Sequence, residues 1–313
     1  MKVRILYAVG IVVIGLAVLS GASGQADQSP PNDRVAPSTI SLNTNSSEEK
    51  NKIFEEISPQ YLETDVAALI EIRKPEDIAV LRNRLIALLW GENGLPDSLP
   101  ATVEKDFEDS RYADIPGLQR IDKLIVTMNF GLESHIYHFI PKTPNNKVVL
   151  YHQGHRGDFH LSKEQITEFL DNGYSVVACC MPLLGLNNQP TVSLPRFGRF
   201  KLTSHDHIKF LTSANGHPIR YFLDPIVIAL NYVEKNYDYE RISMVGISGG
   251  GWTTTLAAAV DTRIQMSFPV AGTYPIYLRS ESGRDWGDWE QTEPEFYTTA
   301  NYLELYILGA YGP

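Results

Sequence analysis

Histidine is missing from the end of this chain: there are eight, and the last is His217. Any nucleophile placed beyond that point has no histidine following it to take its proton. Cysteine is almost absent too, since Cys179 and Cys180 are the only two, which excludes a disulfide framework. They are adjacent in a strand-like run, where successive side chains point to opposite faces, so they are poorly placed to bond to each other and read as buried apolar fillers. Positive charge is in short supply: 27 Lys and Arg against 37 Asp and Glu give a net charge of −10. That balance argues against nucleic acid and against anionic membrane surfaces as partners, because both would be repelled. A bilayer-spanning stretch is also lacking. The apolar run Ile5–Leu19 covers 15 residues, short of the roughly 20 that a crossing helix needs.

That run instead has the layout of an export signal. Lys2 and Arg4 precede it, and Ser20, Gly21, Ala22, Ser23 and Gly24 follow it, so residues 1–24 are expected to be a secretory signal peptide cleaved near Ala22 or Gly24. The protein is then secreted or periplasmic, with no stable membrane anchor after cleavage. Retention of the segment as an anchor is the alternative. No cysteine follows the small residues, so a lipid has no acceptor there. Residues 25–50 are rich in Ser, Asn, Pro and Asp and read as a flexible linker. Residues 51–117 read as a helical N-terminal extension, with Ile78, Leu81, Leu85 and Leu88 near the 3.6-residue period, Pro75 near a helix start and Gly91 after its end. At 43% hydrophobic and 20% charged, the chain as a whole has the composition of an ordinary soluble globular protein.

From residue 118 onward, strands alternate with helices. Lys123–Met128 and His135–Ile140 look like adjacent strands joined at Asn129-Phe130-Gly131, and Lys147–Tyr151 is a third. A helix is expected from Ser162, with Gln165 completing a capping box and Gly173 as its stop. Strand Tyr174–Ala178 follows, then a helix with Asp224 as N-cap and Pro225 in its first turn, then strands Ile242–Ile247 and Ile264–Val270 around a helix from Trp252 to Val260. This alternation requires an α/β fold, a mostly parallel sheet with helices on both faces.

The chemistry concentrates in Gly246-Ile247-Ser248-Gly249-Gly250, a G-x-S-x-G between a buried strand pattern and a helix. A serine on such a turn presents its hydroxyl at the carboxyl edge of the sheet, and flanking glycines such as Gly246 and Gly250 let neighbouring elements approach. The amide of Gly249 lies at the helix N-terminus and can stabilise an oxyanion on a carbonyl attacked by Ser248. A phosphate loop would need Lys after Gly251, where Trp252 stands, and a dinucleotide fingerprint would need Gly in place of Ser248. An ordinary tight turn in an α/β protein is the plain alternative.

With these elements in this order, residues 118–272 resemble the α/β-hydrolase superfamily, in the manner of secreted or periplasmic esterases of the acetyl-xylan-esterase and dienelactone-hydrolase kind and of prolyl-oligopeptidase-like domains. The resemblance implies Ser248 as nucleophile and a second oxyanion donor from the loop after the third strand, the amide of His155 with Gly154 as runner-up. Gln153 departs from the family's histidine-glycine pattern there. It also implies an acid and a histidine on loops after a seventh and an eighth strand, in the order nucleophile, acid, histidine. No such pair of strands and no such histidine follow Val270, so residues 118–313 are expected to be a partial α/β-hydrolase domain whose last strands, acid and base are missing. The side chains of His152 and His155 are expected to position their loop rather than take protons. His205-Asp206-His207 reads as exposed loop histidines, with a substitute base or metal site as the weaker alternative, since only two ligands are evident. Asp285, Asp288 and Glu290 read as loop charges, and Trp286, Trp289, Tyr297, Phe197 and Phe200 as packing.

The functional expectation is a serine hydrolase of small-molecule carboxylic esters or acylated substrates, with no cofactor and no metal. The alternative is a catalytically inactive member that binds or is a remnant, and within enzymes a serine peptidase. No propeller-like repeat precedes the body, which lowers the peptidase reading.

Overall fold

Alternating strand side chains in the middle of the sheet fall into two separate cores, and this is what fixes the architecture. The computed structural model describes residues 61, 63–212, 216–279 and 287–311. The expected signal peptide and linker, together with Asp285 and Trp286, lie outside the described residues. In chain order the elements are helix α1 (Pro75–Trp90), strands β1 (Thr102–Glu104), β2 (Leu118–Thr127), β3 (Glu133–Pro141) and β4 (Lys147–His152), helix α2 (Lys163–Asp171) and strand β5 (Ser175–Cys179). A two-stranded ribbon, β6 (Thr191–Leu194) and β7 (Gly198–Lys201), comes next, followed by helix α3 (Arg220–Asn236), strand β8 (Arg241–Ile247), helix α4 (Gly249–Val260) and strand β9 (Met266–Val270). Helices α5 (Pro294–Thr299) and α6 (Tyr302–Ala310) close the described chain.

The main sheet has seven strands in the order β1-β2-β3-β5-β4-β8-β9. Strands β5, β4, β8 and β9 run parallel, while β1, β2 and β3 join antiparallel at one side. Val148, Leu150, Val177 and Cys179 face the larger core, built with α1, α3 and α4; Tyr151, Val176, Ala178 and Cys180 face the smaller one, under α2. Both faces are therefore covered, as the run of apolar residues in a central parallel strand requires. The two cysteines look into opposite cores, as expected from their adjacency.

Helix α1 runs from Pro75 to Trp90 with Gly91 at its end, as read from the sequence, but it is part of the body: Leu85 and Leu89 are fully buried in the larger core. The extension also contributes a strand where a helical segment was expected, since β1 pairs with β2. Two expected caps form differently. Ser162 precedes α2 without a side-chain cap, because its Oγ accepts the Tyr151 hydroxyl instead. Helix α3 begins at Arg220, so Asp224 and Pro225 lie inside it. The Asp224 carboxylate accepts from Trp90 Nε1 at 2.6 Å and Arg220 Nε at 3.1 Å, so it is engaged by side chains rather than by a helix terminus.

Candidate active site

The turn from β8 to α4 is strained at its serine. Ser248 sits at φ 56°, ψ −123°, a conformation that costs an ordinary L-residue about 1–3 kcal/mol. The glycines around it are required by space. A Cβ at Gly246 would lie 2.2 Å from the Gly250 carbonyl oxygen, and one at Gly250 would lie 2.1 Å from that of His152. Ser248 donates its amide to Val270 O at 2.8 Å, which ties the turn to the neighbouring strand. The Gly249 amide is in the first turn of α4 and has no acceptor within the helix.

The loop after β4 presses directly on this turn. A Cβ at Gly154 would fall 2.3 Å from Ile247 O and 2.8 Å from Ser248 Cβ, so only glycine allows the approach. The Gly154 amide donates to Gln153 Oε1 at 3.2 Å. The next residue carries its ring over Gly249, and His155 Nδ1 stands 3.4 Å from Ser248 Oγ. This is a long contact for a nucleophile and its base, of the kind that tightens when a substrate is bound.

The other ring nitrogen meets two carboxylates. Asp288 Oδ2 is 2.9 Å and Glu290 Oε1 3.8 Å from His155 Nε2. The aspartate approaches off the N–H direction, so the contact is an ion pair rather than an aligned hydrogen bond. Asp288 and then Glu290 stabilise the imidazolium against the opposing effect of burial and raise the His155 pKa to about 9. The same pairing holds the Asp288 carboxyl below its usual range. His205 closes the cluster: its Nε2 is 3.6 Å from Asp288 Oδ2, and its ring centroid is 4.7 Å from that of His155. The buried His152 ring, one strand-end away, is pushed down to about 4 by desolvation and stays neutral.

Aromatic side chains hold the acidic segment in place. Trp289 Nε1 donates to His205 O at 3.2 Å, and the Tyr297 hydroxyl donates to Glu290 O at 3.0 Å while accepting from Trp252 Nε1 at 2.7 Å. Trp252 belongs to α4, so the helix carrying the elbow also anchors the acids.

Several sequence expectations change here. Ser248, Gly249, Gly154 and His155 lie together at this turn, and the His155 ring, expected only to position its loop, is the group beside the serine oxygen. Asp288 and Glu290 are not loop charges: they face that ring, and Glu290 is fully buried. His205 is buried rather than an exposed loop histidine, because residues 205–210 form a 3₁₀ turn that points it inward. His207 turns away, with Nδ1 accepting the Thr203 amide at 3.2 Å and its ring against Phe200. The available signal was the acid-rich Asp285–Glu290 stretch, but nothing in linear order connects it to His155. Four side chains, His155, His205, Asp288 and Glu290, have ligand atoms within 4.8 Å of one another and could hold a metal ion.

The site thus sits on a doubly covered, mostly parallel sheet, with a serine on the strained strand-to-helix turn. No protein-family model and no curated protein matches the chain. Among solved structures it is similar to acetyl xylan esterase 1 from Thermoanaerobacterium sp., at 16% identity and TM-score 0.46 over 76% of this chain and 73% of that one. It is similar also to an acetyl xylan esterase from Paenibacillus sp. R4, at 15% identity and TM-score 0.44 over 75% and 71%. A Pyrococcus furiosus esterase matches at 14% identity and TM-score 0.39 over 69% and 70%.

Proposed function

We propose that this chain is a serine hydrolase acting on small carboxylic esters, with Ser248 as nucleophile, His155 as general base and Asp288 as the acid that orients it. The reading is carried by one observation: a single imidazole has one nitrogen 3.4 Å from Ser248 Oγ and the other 2.9 Å from a carboxylate. Neutral His155 accepts the hydroxyl proton at Nδ1 as Oγ bonds to the acyl carbon, and returns it to the leaving alkoxide when the carbonyl re-forms. Water then repeats the sequence on the acyl-serine. The Gly249 amide receives the developing oxyanion together with a second donor from the loop after β4. Because the Gly154 amide is engaged by Gln153, the His155 amide is the better second donor. The base thus precedes the nucleophile in the chain, which removes the need for a histidine after it.

Export as a secreted or periplasmic protein rests on the N-terminal signal layout. Among the described residues no helix is long and apolar enough to cross a membrane.

The test is labelling by a fluorophosphonate together with p-nitrophenyl acetate hydrolysis above pH 9, where His155 is deprotonated. Ser248→Ala should lose both, and His155→Gln should lower hydrolysis about 10²- to 10⁴-fold, the usual worth of a positioned base. Hydrolysis undiminished in His155→Gln would remove His155 from the mechanism. Failure to label Ser248 at any pH would favour the non-catalytic alternative.

A further inference from the structure

The four side chains behind the serine are arranged as ligands without having hydrogen bonds to justify their burial. Among the described residues, Glu290 is fully buried with no hydrogen-bond donor to either carboxylate oxygen, and His205, 6% exposed, has no hydrogen-bond partner at either ring nitrogen. His155 Nε2 is buried and likewise lacks an aligned partner. A buried carboxylate with no hydrogen-bond donor is costly, and the two imidazoles beside it do not place an aligned N–H toward it. A dication would satisfy all of them together.

We infer that His155 Nε2, His205 Nε2, Asp288 and Glu290 form a binding site for a divalent metal ion of the zinc class. The distances suit it. Bonds of about 2.0–2.2 Å in a tetrahedral site place ligand atoms about 3.3–3.6 Å apart; three of the separations are 2.9 Å from His155 to Asp288, 3.6 Å from His205 to Asp288 and 3.8 Å from His155 to Glu290, and all four ligand atoms lie within 4.8 Å of one another. Two imidazoles and two carboxylates select a borderline ion; calcium and magnesium prefer six or more oxygens. Four protein ligands leave no open position for water, so the site holds a metal without using it as a catalyst.

Occupancy has a consequence at the serine. A metal on Nε2 leaves the neutral ring's one proton on Nδ1, which then points a donor at Ser248 Oγ and cannot accept its proton. The metal therefore silences the hydrolase. This consequence rests on the role proposed for His155, whereas the binding itself does not.

Binding is read with cobalt(II) added to the Ser248→Ala protein, which tests the site with no dependence on turnover. The expected result is one equivalent bound, with the intense visible bands of four-coordinate cobalt, displaced by zinc. His205→Asn and Glu290→Gln should each weaken binding at least tenfold, in variants that melt as the parent does. In the wild-type chain, zinc should suppress ester hydrolysis reversibly, with recovery on chelation, and the zinc concentration that halves the rate should rise at least tenfold in His205→Asn, measured against that variant's own metal-free rate. Absence of the cobalt bands at equimolar metal, or binding unchanged in both variants, overturns the inference even if ester hydrolysis is robust. Cobalt bands in a chain with no hydrolysis would support the metal site and refute only the proposed activity.

Discussion

At the scale of single residues, His155 decides how the site behaves. Asp288, Glu290, His205 and His152 all face it, and the carboxylates dominate, holding its pKa near 9. A raised pKa keeps the ring protonated at neutral pH, and a protonated ring cannot accept a proton from Ser248. The expected kcat/KM therefore rises with pH through a midpoint near 9. Asp288→Asn removes the largest stabiliser of the imidazolium and should move that midpoint down, toward the ordinary imidazole value of about 6.5. A pH-rate profile of the two proteins checks this; an unchanged midpoint would mean that another group titrates. Ser248 and Gly249 were legible from sequence because a strained turn demands a local pattern of glycines. The proposed base was not, because the identity of a proton acceptor depends on which rings reach one point in space. His155 is 93 positions from Ser248, and its amide was read as functional while its imidazole was assigned a supporting part.

At the scale of elements, α4 shows tertiary burial overriding propensity. It opens Gly-Gly-Gly and continues through three threonines, a poor helical sequence. Yet all twelve of its residues are buried, and Thr253, Thr254 and Thr255 each donate their hydroxyl to the carbonyl four residues earlier. Poor propensity is tolerated because the glycines let the β4 loop and β9 come close. Helix α1 illustrates the opposite case. Its ends were readable from Pro75 and Gly91, but its place in the core was not, since an amphipathic stripe does not say what it faces. Leu85→Ala should cost about 2–5 kcal/mol, as deletion of a fully buried leucine does. Urea unfolding measures this, and a loss below about 0.5 kcal/mol, the range of ordinary surface changes, would mean that α1 is dispensable to the body. The mis-assigned start of α3 has a similar origin: Asp-Pro is a good N-terminal signal locally, and only Trp90, brought from α1, together with Arg220 one turn earlier in α3, makes Asp224 stable inside a helix.

At the scale of the whole molecule, the order of strands and crossovers was legible because apolar strand runs and helical periods alternate along the chain. What could not be read was the surface that the sheet leaves uncovered. Strand β9 lies at the sheet's end, and Met266, Phe268 and Val270 on it are 42%, 49% and 46% exposed. An apolar edge of this kind is a template for association. Phe268→Lys should raise the concentration at which the protein begins to self-associate, followed by light scattering, with no change in labelling at Ser248. An unchanged threshold would place the sticky surface elsewhere.

The paired cysteines give the two cores separate sentinels. Burial raises both thiols far out of the reactive range, Cys180 to about 12 and Cys179 further. An alkylating reagent can therefore reach either sulfur only when the layer above it lifts. Modification at Cys179 records loosening on the side of α1, α3 and α4, and modification at Cys180 records loosening under α2. The chain thus carries, in two neighbouring positions, a built-in record of which half of the molecule opens first.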